Sequence, residues 1–489
     1  MVKSYNLYIN GKQIKSSSKE TFLSINPSTE QVLARFALGT RKDVDKAVEV
    51  AVQAQKKWSA IPAPRRGEIL LEVANLLKKN KKRLAILEST EMGKILQEAL
   101  GDVQEAIDIF EYMSGEGRRL FGHTTPSELP HKVCSTIRQP FGVVGLITPW
   151  NFPIAIPSWK IAPALICGNA IIFKPSSDTP MCAYELVKIC EQAGVPKGVI
   201  NIVTGSGKEV GTAIIKHPKI SGISFTGSRD VGEFVTANAG LKKVGLELGG
   251  KNPMVIMDDA DLDLALQGVL FGAFGTTGQR CTAASRIIVH TKVFKEFEEM
   301  LVKKANKLRV GNPLKSSTEV GPLINKAAVE KVHSYTNIGK KEHAKLLCGG
   351  EILGTKGFFY KPTIFTNVTP KMRIAQEEIF GPTTALMKTS NLKEAIQICN
   401  GVKYGLSASI YTNNIANAYF FIEQIESGIV YVNAPTIGAE VHLPFGGVKG
   451  TGTGREAGWT GIEEFSNEKT VYIDYSGNLQ KAQIDNSSK

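Results

Sequence analysis

The sequence contains no run of ~18 apolar residues, so no membrane-spanning helix is expected. Its first residues, MVKSYNLYINGKQ, lack the apolar stretch of a secretory signal, which makes the soluble, cytoplasmic interior of a cell the expected compartment. The seven cysteines, at 134, 167, 182, 190, 281, 348 and 399, form no CxxC pair. That scatter suits neither a zinc centre nor a disulfide framework, and no metal is expected. No nucleic-acid-binding signature accompanies the formal charge of +13, so no nucleic-acid partner is expected either. The densest basic run is Lys78, Lys79, Lys81, Lys82 and Arg83, among apolar residues at helical spacing (Ile69, Leu70, Val73, Leu76, Leu77, Leu84). This is the pattern of a solvated helix face. The surplus positive charge favours anionic cofactors and substrates by steering.

What is present is a globular composition, 42% hydrophobic and 21% charged over 489 residues, long enough for two or three domains. From about 140 to 310, short β-type runs alternate with helical stretches. GVVGLIT (142–148), AIIFK (170–174), VINIVTG (199–205), ISGISFTG (220–227), KVGLELGG (243–250) and PMVIMDD (253–259) read as strands. Thr179 to Ala193 and 292–307 read as helices. The alternation predicts an α/β fold with a parallel, doubly wound sheet. It resumes at 393–400, 405–412, 414–426 and 428–433, which predicts a second α/β domain. KVCSTIR (132–138) and TVYIDY (470–475) are strands without helices, free to pair with each other or with another subunit.

In a doubly wound sheet, ligands bind where strand ends feed helices. Four unusual clusters fall at such ends: TPWNFP with Trp150 and Asn151, KPSSDTP with Lys174, FTGSRDVG with Gly227 and Ser228, and ELGGKNP with Glu247. FTGSRDVG is not the GxGxxG fingerprint, yet a helix opening on Gly and Ser suits a pyrophosphate. Lys174 reads equally as a solvated strand end. Glu247, between Leu246 and Leu248, is costly to bury unless paired or poised for proton transfer. Cys167, Cys190 and Cys399 sit among apolar residues and read as core fillers. Cys281 follows a polar, glycine-bearing turn, GTTGQR; as a lone cysteine it is either structural or an exposed nucleophile.

Together these clusters resemble the aldehyde dehydrogenase family across nearly the whole chain. PWNFP, FTGS, LELGGKNP, GQRCTA, EEIFGP (377–382) and PFGGVKGTGTGRE (444–456) follow one another in that family's order and spacing. The resemblance implies a Rossmann-type cofactor domain (1–119 and 141–248), a catalytic domain (249–449) and a small β oligomerisation element (120–140 and 467–477), assembled as a homodimer or homotetramer. It implies Cys281 as nucleophile attacking as thiolate, Asn151 and the Cys281 N–H as oxyanion donors, and Glu247 as the base that activates water. It implies Ile147, Trp150, Lys174, Ser177, Lys208, Gly227, Ser228, Glu378 and Phe380 around the cofactor. Phe152, Trp159 and Phe445 are implied around the aldehyde, and Glu456 as a second glutamate for proton relay. The glutamate at 247 is absent from relatives that pass the acyl group to coenzyme A, so its presence implies hydrolysis to a free acid. A non-catalytic structural relative would be expected to have lost Cys281, Glu247 or Asn151, and all three stand.

Relatives built for succinic semialdehyde carry an arginine where this chain has Trp159. The run WNFPIAIPSWKIAPAL with GTTGQRCTAASR most resembles enzymes for 2-oxoglutarate semialdehyde (2,5-dioxopentanoate), with glyceraldehyde dehydrogenases next. Relatives that favour NAD place a glutamate three positions after the strand's lysine, where this chain has Ser177. A carboxylate there repels the 2′-phosphate of NADP, whereas a hydroxyl donates to it. NADP is therefore the expected cofactor, with NAD possible if Asp178 turns inward.

Overall fold

The computed structural model describes residues 2–484. Five parallel strands, Val143–Ile147, Ala170–Lys174, Ile200–Ile202, Gly222–Thr226 and Lys243–Glu247, form the centre of an eight-stranded sheet. Numbered along the chain, they lie in the order 3-2-1-4-5, so the direction of winding reverses between Val143–Ile147 and Gly222–Thr226. Antiparallel strands close its edges: Leu7–Ile9 and Lys12–Ile14 on one side, Gly452–Thr453 on the other. A second, seven-stranded sheet runs Lys345–Cys348, Thr363–Thr366, Thr383–Thr389, Ala284–His290, Asn252–Ile256, Ser407–Tyr411 and Ile429–Val432, parallel except at its first strand. Both sheets are packed on two faces, which is why their strands are near-continuous Val, Ile and Leu runs rather than alternating ones. Several strands are shorter than those runs. VINIVTG pairs only over 200–202, and PMVIMDD stops at Ile256.

The strands 132–138 and 470–475 pair with each other. Ser466–Asp474 runs antiparallel to Lys132–Pro140, and Thr124–Pro126 takes the other side. The outer strand leaves Tyr472 and Ile473 exposed. The basic run lies on the helix Ala63–Glu91 with Lys78, Lys79, Lys82 and Arg83 exposed and Leu70, Val73, Leu77 and Leu84 buried. No described helix is long and apolar enough to cross a membrane.

The helices Ala63–Glu91 and Leu96–Glu116 meet around a buried charge cluster. Lys94 lies 2.8 Å from both Glu88 and Asp102, all of them at essentially zero exposure. Burial alone would lower the lysine's pKa, and the two carboxylates hold it above its usual value. Asp102 also accepts from the Ala155 N–H at 2.7 Å, which anchors the helix Ala155–Ile166 behind the site. Lys94→Met leaves two buried carboxylates without their cation. A loss of ~3–5 kcal/mol is expected, read as a lower urea midpoint; a midpoint within experimental error of the parent would refute it.

Candidate active site

The reversal in strand order opens a crevice between the loops after Val143–Ile147 and Gly222–Thr226, the place where open α/β sheets take ligands. The first loop presents Trp150 and Asn151. The second presents Gly227 and Ser228, the latter being N-cap of the helix Arg229–Asn238 with its hydroxyl making no cap hydrogen bond. Thr226 and Glu247 are opposite in register, which brings the carboxylate to the same strand end.

The second sheet supplies the thiol. The helix Leu262–Phe274 ends in a tight turn in which Thr276 (φ 51°), Thr277 (φ 57°) and Gly278 (φ 66°) are all left-handed. For β-branched residues this costs ~1–3 kcal/mol each, and the surroundings enforce it. Glu98 accepts from the Thr276 N–H at 2.9 Å, Thr277 Oγ1 donates to Gly321 O at 3.0 Å, and Gln279 Oε1 accepts from Ile324 N at 2.9 Å. Gly278 cannot be replaced, since a Cβ there would come within 2.2 Å of Gly381 O. Cys281 is thus presented by a clamped loop.

Cys281 is half-buried and lines two cavities, one of about 230 Å³ on the crevice side and one of about 60 Å³ beyond it. Burial, reinforced by the carboxylates of Glu378 and Glu247, pushes its thiol up to about 12. The protonated thiol is thus the favoured form of Cys281 in this structure. The proton must leave to a base when the thiol attacks. Asn151, 3% exposed, donates through Nδ2 to Gln279 O at 3.0 Å. That bond fixes the amide's orientation and leaves its second N–H for an oxyanion.

Glu247 lines the smaller cavity with Cys281. Gly446 (φ 149°) lets the chain pass so close that a Cβ would sit 2.5 Å from Glu247 Oε1. Burial, then the neighbouring Glu456, raises the Glu247 pKa well above the usual carboxylate range, with Lys160 opposing. Its Oε2 is buried and has no hydrogen-bond partner among the described residues. Glu456 lines the same cavity and is ion-paired to the fully buried Lys160, which also donates to Ser224 Oγ at 2.8 Å. A carboxyl that holds its proton more tightly than usual, open on one oxygen and backed by a buried Glu–Lys pair, is suited to exchanging a proton.

The larger cavity gathers Trp150, Asn151, Gly227, Ser228, Gly249, Glu378 and Phe380. Phe380 (φ 61°) is held left-handed with its ring edge-on to Trp150 at 5.4 Å. Glu378 accepts from the Gly250 N–H at 2.9 Å, and burial raises its pKa. A free N-cap hydroxyl, open helix N–H groups, a fixed carboxylate for ribose hydroxyls and the unpartnered Thr226 Oγ1 fit a nicotinamide dinucleotide. Ile147 lies in the apolar core behind this wall. Lys174 is buried at its strand exit, donates to Pro175 O at 3.3 Å and is lowered by burial to about 8. Ser177 is half-buried. Asp178 is turned toward Asn325, whose Nδ2 donates to it at 3.1 Å. Lys208 is exposed and lines a surface cavity of about 380 Å³ with Arg41, Lys216 and His217.

Phe152, Trp159 and Phe445 all line the smaller cavity, with Trp159 edge-on to Phe445 at 5.1 Å. Reading the sequence missed Lys160, Lys331 of the crevice, and Glu105, Arg280 and Tyr431 of the smaller cavity. Lys160 carried a signal, being one basic residue inside the apolar helix AIPSWKIAPALI; a charge there demands a buried partner. Glu105 carried none, because it reaches the site from a helix far earlier in the chain.

Fold and site together define a two-sheet α/β protein in which the Cys281 thiol stands between the crevice at the strand-order reversal and a small aromatic pocket. The chain belongs to the aldehyde dehydrogenase family, whose model matches residues 14–471. It is 41% identical over 474 residues to the alpha-ketoglutaric semialdehyde dehydrogenase of Bacillus subtilis, covering 95% of this chain and 97% of that one. It is 42% identical to retinaldehyde dehydrogenase 3 of Mus musculus over 96% of this chain and 93% of that one. Betaine aldehyde dehydrogenase from Staphylococcus aureus in complex with NAD+ superposes with a TM-score of 0.95 at 35% identity, covering 98% of this chain and 96% of that chain.

Proposed function

We propose that this chain oxidises a short anionic aldehyde, 2,5-dioxopentanoate foremost, to its carboxylic acid through a thioester on Cys281, with NADP preferred over NAD. The observation that carries the chemistry is Cys281 at the junction of two cavities with Glu247 across the smaller one. We place the junction between a cofactor unit (1–119 and 141–248) and a catalytic unit (249–449). Size supports the substrate. On the scale in which one water takes ~10–15 Å³, a cavity of about 60 Å³ suits a chain of a few carbons and not a retinoid.

The Cys281 sulfur adds to the aldehyde carbon while its proton leaves to solvent water in the crevice. The oxygen that becomes an anion is met by the second N–H of Asn151 and the N–H of Cys281. Trp150, Ser228, Glu378, Phe380 and Lys331 would hold the nicotinamide cofactor, which when bound supplies the hydride acceptor. Loss of hydride leaves a thioester on Cys281. Glu247, in its ionised form, then takes a proton from the water that attacks the thioester carbonyl, the carbon–sulfur bond breaks, the acid departs and the sulfur leaves as thiolate. The Glu456–Lys160 pair passes that proton onward from Glu247.

The NADP preference rests on Ser177, on Lys174 beside it, and on Asp178 being held away by Asn325. Initial rates on 2,5-dioxopentanoate, glyceraldehyde and retinal with both cofactors test the reading as a whole; faster turnover of retinal than of the short anion would refute it. Ser177→Glu is expected to move the NADP-to-NAD ratio of kcat/KM toward NAD by ~10-fold, the worth of one charged hydrogen bond. A parent enzyme equally efficient with NAD would show that Ser177 does not set the choice.

A further inference from the structure

Arg280 immediately precedes the nucleophile and lines the smaller cavity with it. Among the described residues of that lining it is the one basic group, set in a wall of Phe152, Trp159, Tyr431 and Phe445. The guanidinium is held in place from two sides, 5.2 Å from the Phe152 ring centroid and 5.5 Å from that of Phe271. Its own hydrogen bonds are few. Nε donates to Thr276 Oγ1 at 2.9 Å, and Nη2 lies 3.4 Å from a Glu98 oxygen already engaged by the Thr276 N–H. A guanidinium carries five N–H donors, so most of this fork has no partner among the described residues.

We propose that Arg280 receives the distal carboxylate of an anionic aldehyde whose carbonyl lies at Cys281, and so sets the substrate class of this cavity. The assignment rests on the proposed function and names the residue that selects within it. A planar fork accepts a carboxylate in bidentate fashion, and placing it one residue from the nucleophile keeps both ends of a short chain within one loop's reach. Three carboxylates share the cavity with it, and each is answered. Glu456 is paired with Lys160. Glu247 is raised well above the usual range by burial and Glu456. Glu105 is pushed up to about 7, chiefly by burial. Arg280 is ion-paired with Glu98 at 3.4 Å through one nitrogen, and the rest of its fork is the positive charge that a substrate anion meets in this cavity. This also explains how Trp159 can occupy the position where succinic semialdehyde relatives carry their arginine: here the cation comes from the opposite wall.

The discriminating experiment compares 5-oxopentanoate with pentanal, equal in length but differing in the carboxylate, on the parent enzyme, Arg280→Met and Arg280→Lys. The parent should prefer 5-oxopentanoate. Arg280→Met should cut that preference roughly 10- to 100-fold, mainly through KM, with Arg280→Lys between the two. An equal loss on both aldehydes would overturn the assignment, since Arg280 would then act only by bracing the loop through Glu98 and Thr276. A parent that prefers pentanal would instead sink the anionic substrate itself, so the two failures are distinguishable. Alkylation of Cys281 by iodoacetate relative to iodoacetamide gives a second readout independent of turnover. That ratio should fall in Arg280→Met, and an unchanged ratio would likewise overturn the proposal.

Discussion

Cys281→Ala is expected to abolish aldehyde oxidation, by on the order of 10⁴-fold or more in kcat, while the protein still binds its nicotinamide cofactor. In the proposed mechanism the thiol is the one group that forms a bond to substrate carbon, and no other described cysteine lines either cavity. The cofactor groups are held by separate means: Phe380 against Trp150, Glu378 on the Gly250 N–H, and Ser228 at its helix cap. Removing one sulfur disturbs none of them. Retention of more than a few per cent of turnover would refute the assignment. The same thiol has a pH signature. Because burial and the Glu378 and Glu247 carboxylates push it up to about 12, its thiolate fraction grows about tenfold per unit throughout the range from pH 7 to 10. Alkylation of the cofactor-free enzyme by iodoacetamide should rise steadily over that range; a plateau near pH 8 would show an already activated thiolate.

How much of this was readable in the residues depends on where each partner lies in the chain. The parallel sheet was legible because its strands are buried on both faces and read as unbroken apolar runs ended by Gly and Asp. Asn151, Glu247 and Cys281 were legible because each stands in a short motif at a strand or helix end. The clamp on the Cys281 loop was not. Thr276 and Thr277 are β-branched, the residues least expected at positive φ, and only Glu98 and Gly321, distant in sequence, reveal why they adopt it. The raised thiol pKa was hidden for a related reason, since GTTGQR looks like an exposed polar turn and its burial comes from the opposing elements. Arg280 was visible as a letter in GQRCTA, but its direction into the aromatic pocket required Phe152 and Phe271 to be seen beside it.

Glu247→Gln is expected to separate the two halves of the reaction. The first turnover should survive as a burst of reduced cofactor near one per active site, while steady turnover falls by ~10²–10⁴, the usual contribution of a positioned base. Two observations lead there. A charge on Glu247 disfavours the nearby Cys281 thiolate, so a neutral amide relieves the thiol rather than hindering its attack. The proposed oxyanion donors, Asn151 and the Cys281 N–H, belong to other elements and are untouched. Thioester hydrolysis has no such reserve. Water is a weak nucleophile, and among the carboxylates lining the cavity Glu456 is committed to Lys160 while Glu105 lies beside Arg280. Among these carboxylates, only Glu247 combines an unpartnered buried oxygen with a pKa raised by burial and Glu456, which suits it to exchanging a proton with water. Rapid-mixing absorbance decides the matter, with the acyl group trapped on Cys281 by acid quench as a direct check. Loss of the burst together with the steady rate would mean that Glu247 also takes the thiol proton, and the division of labour drawn here would be wrong.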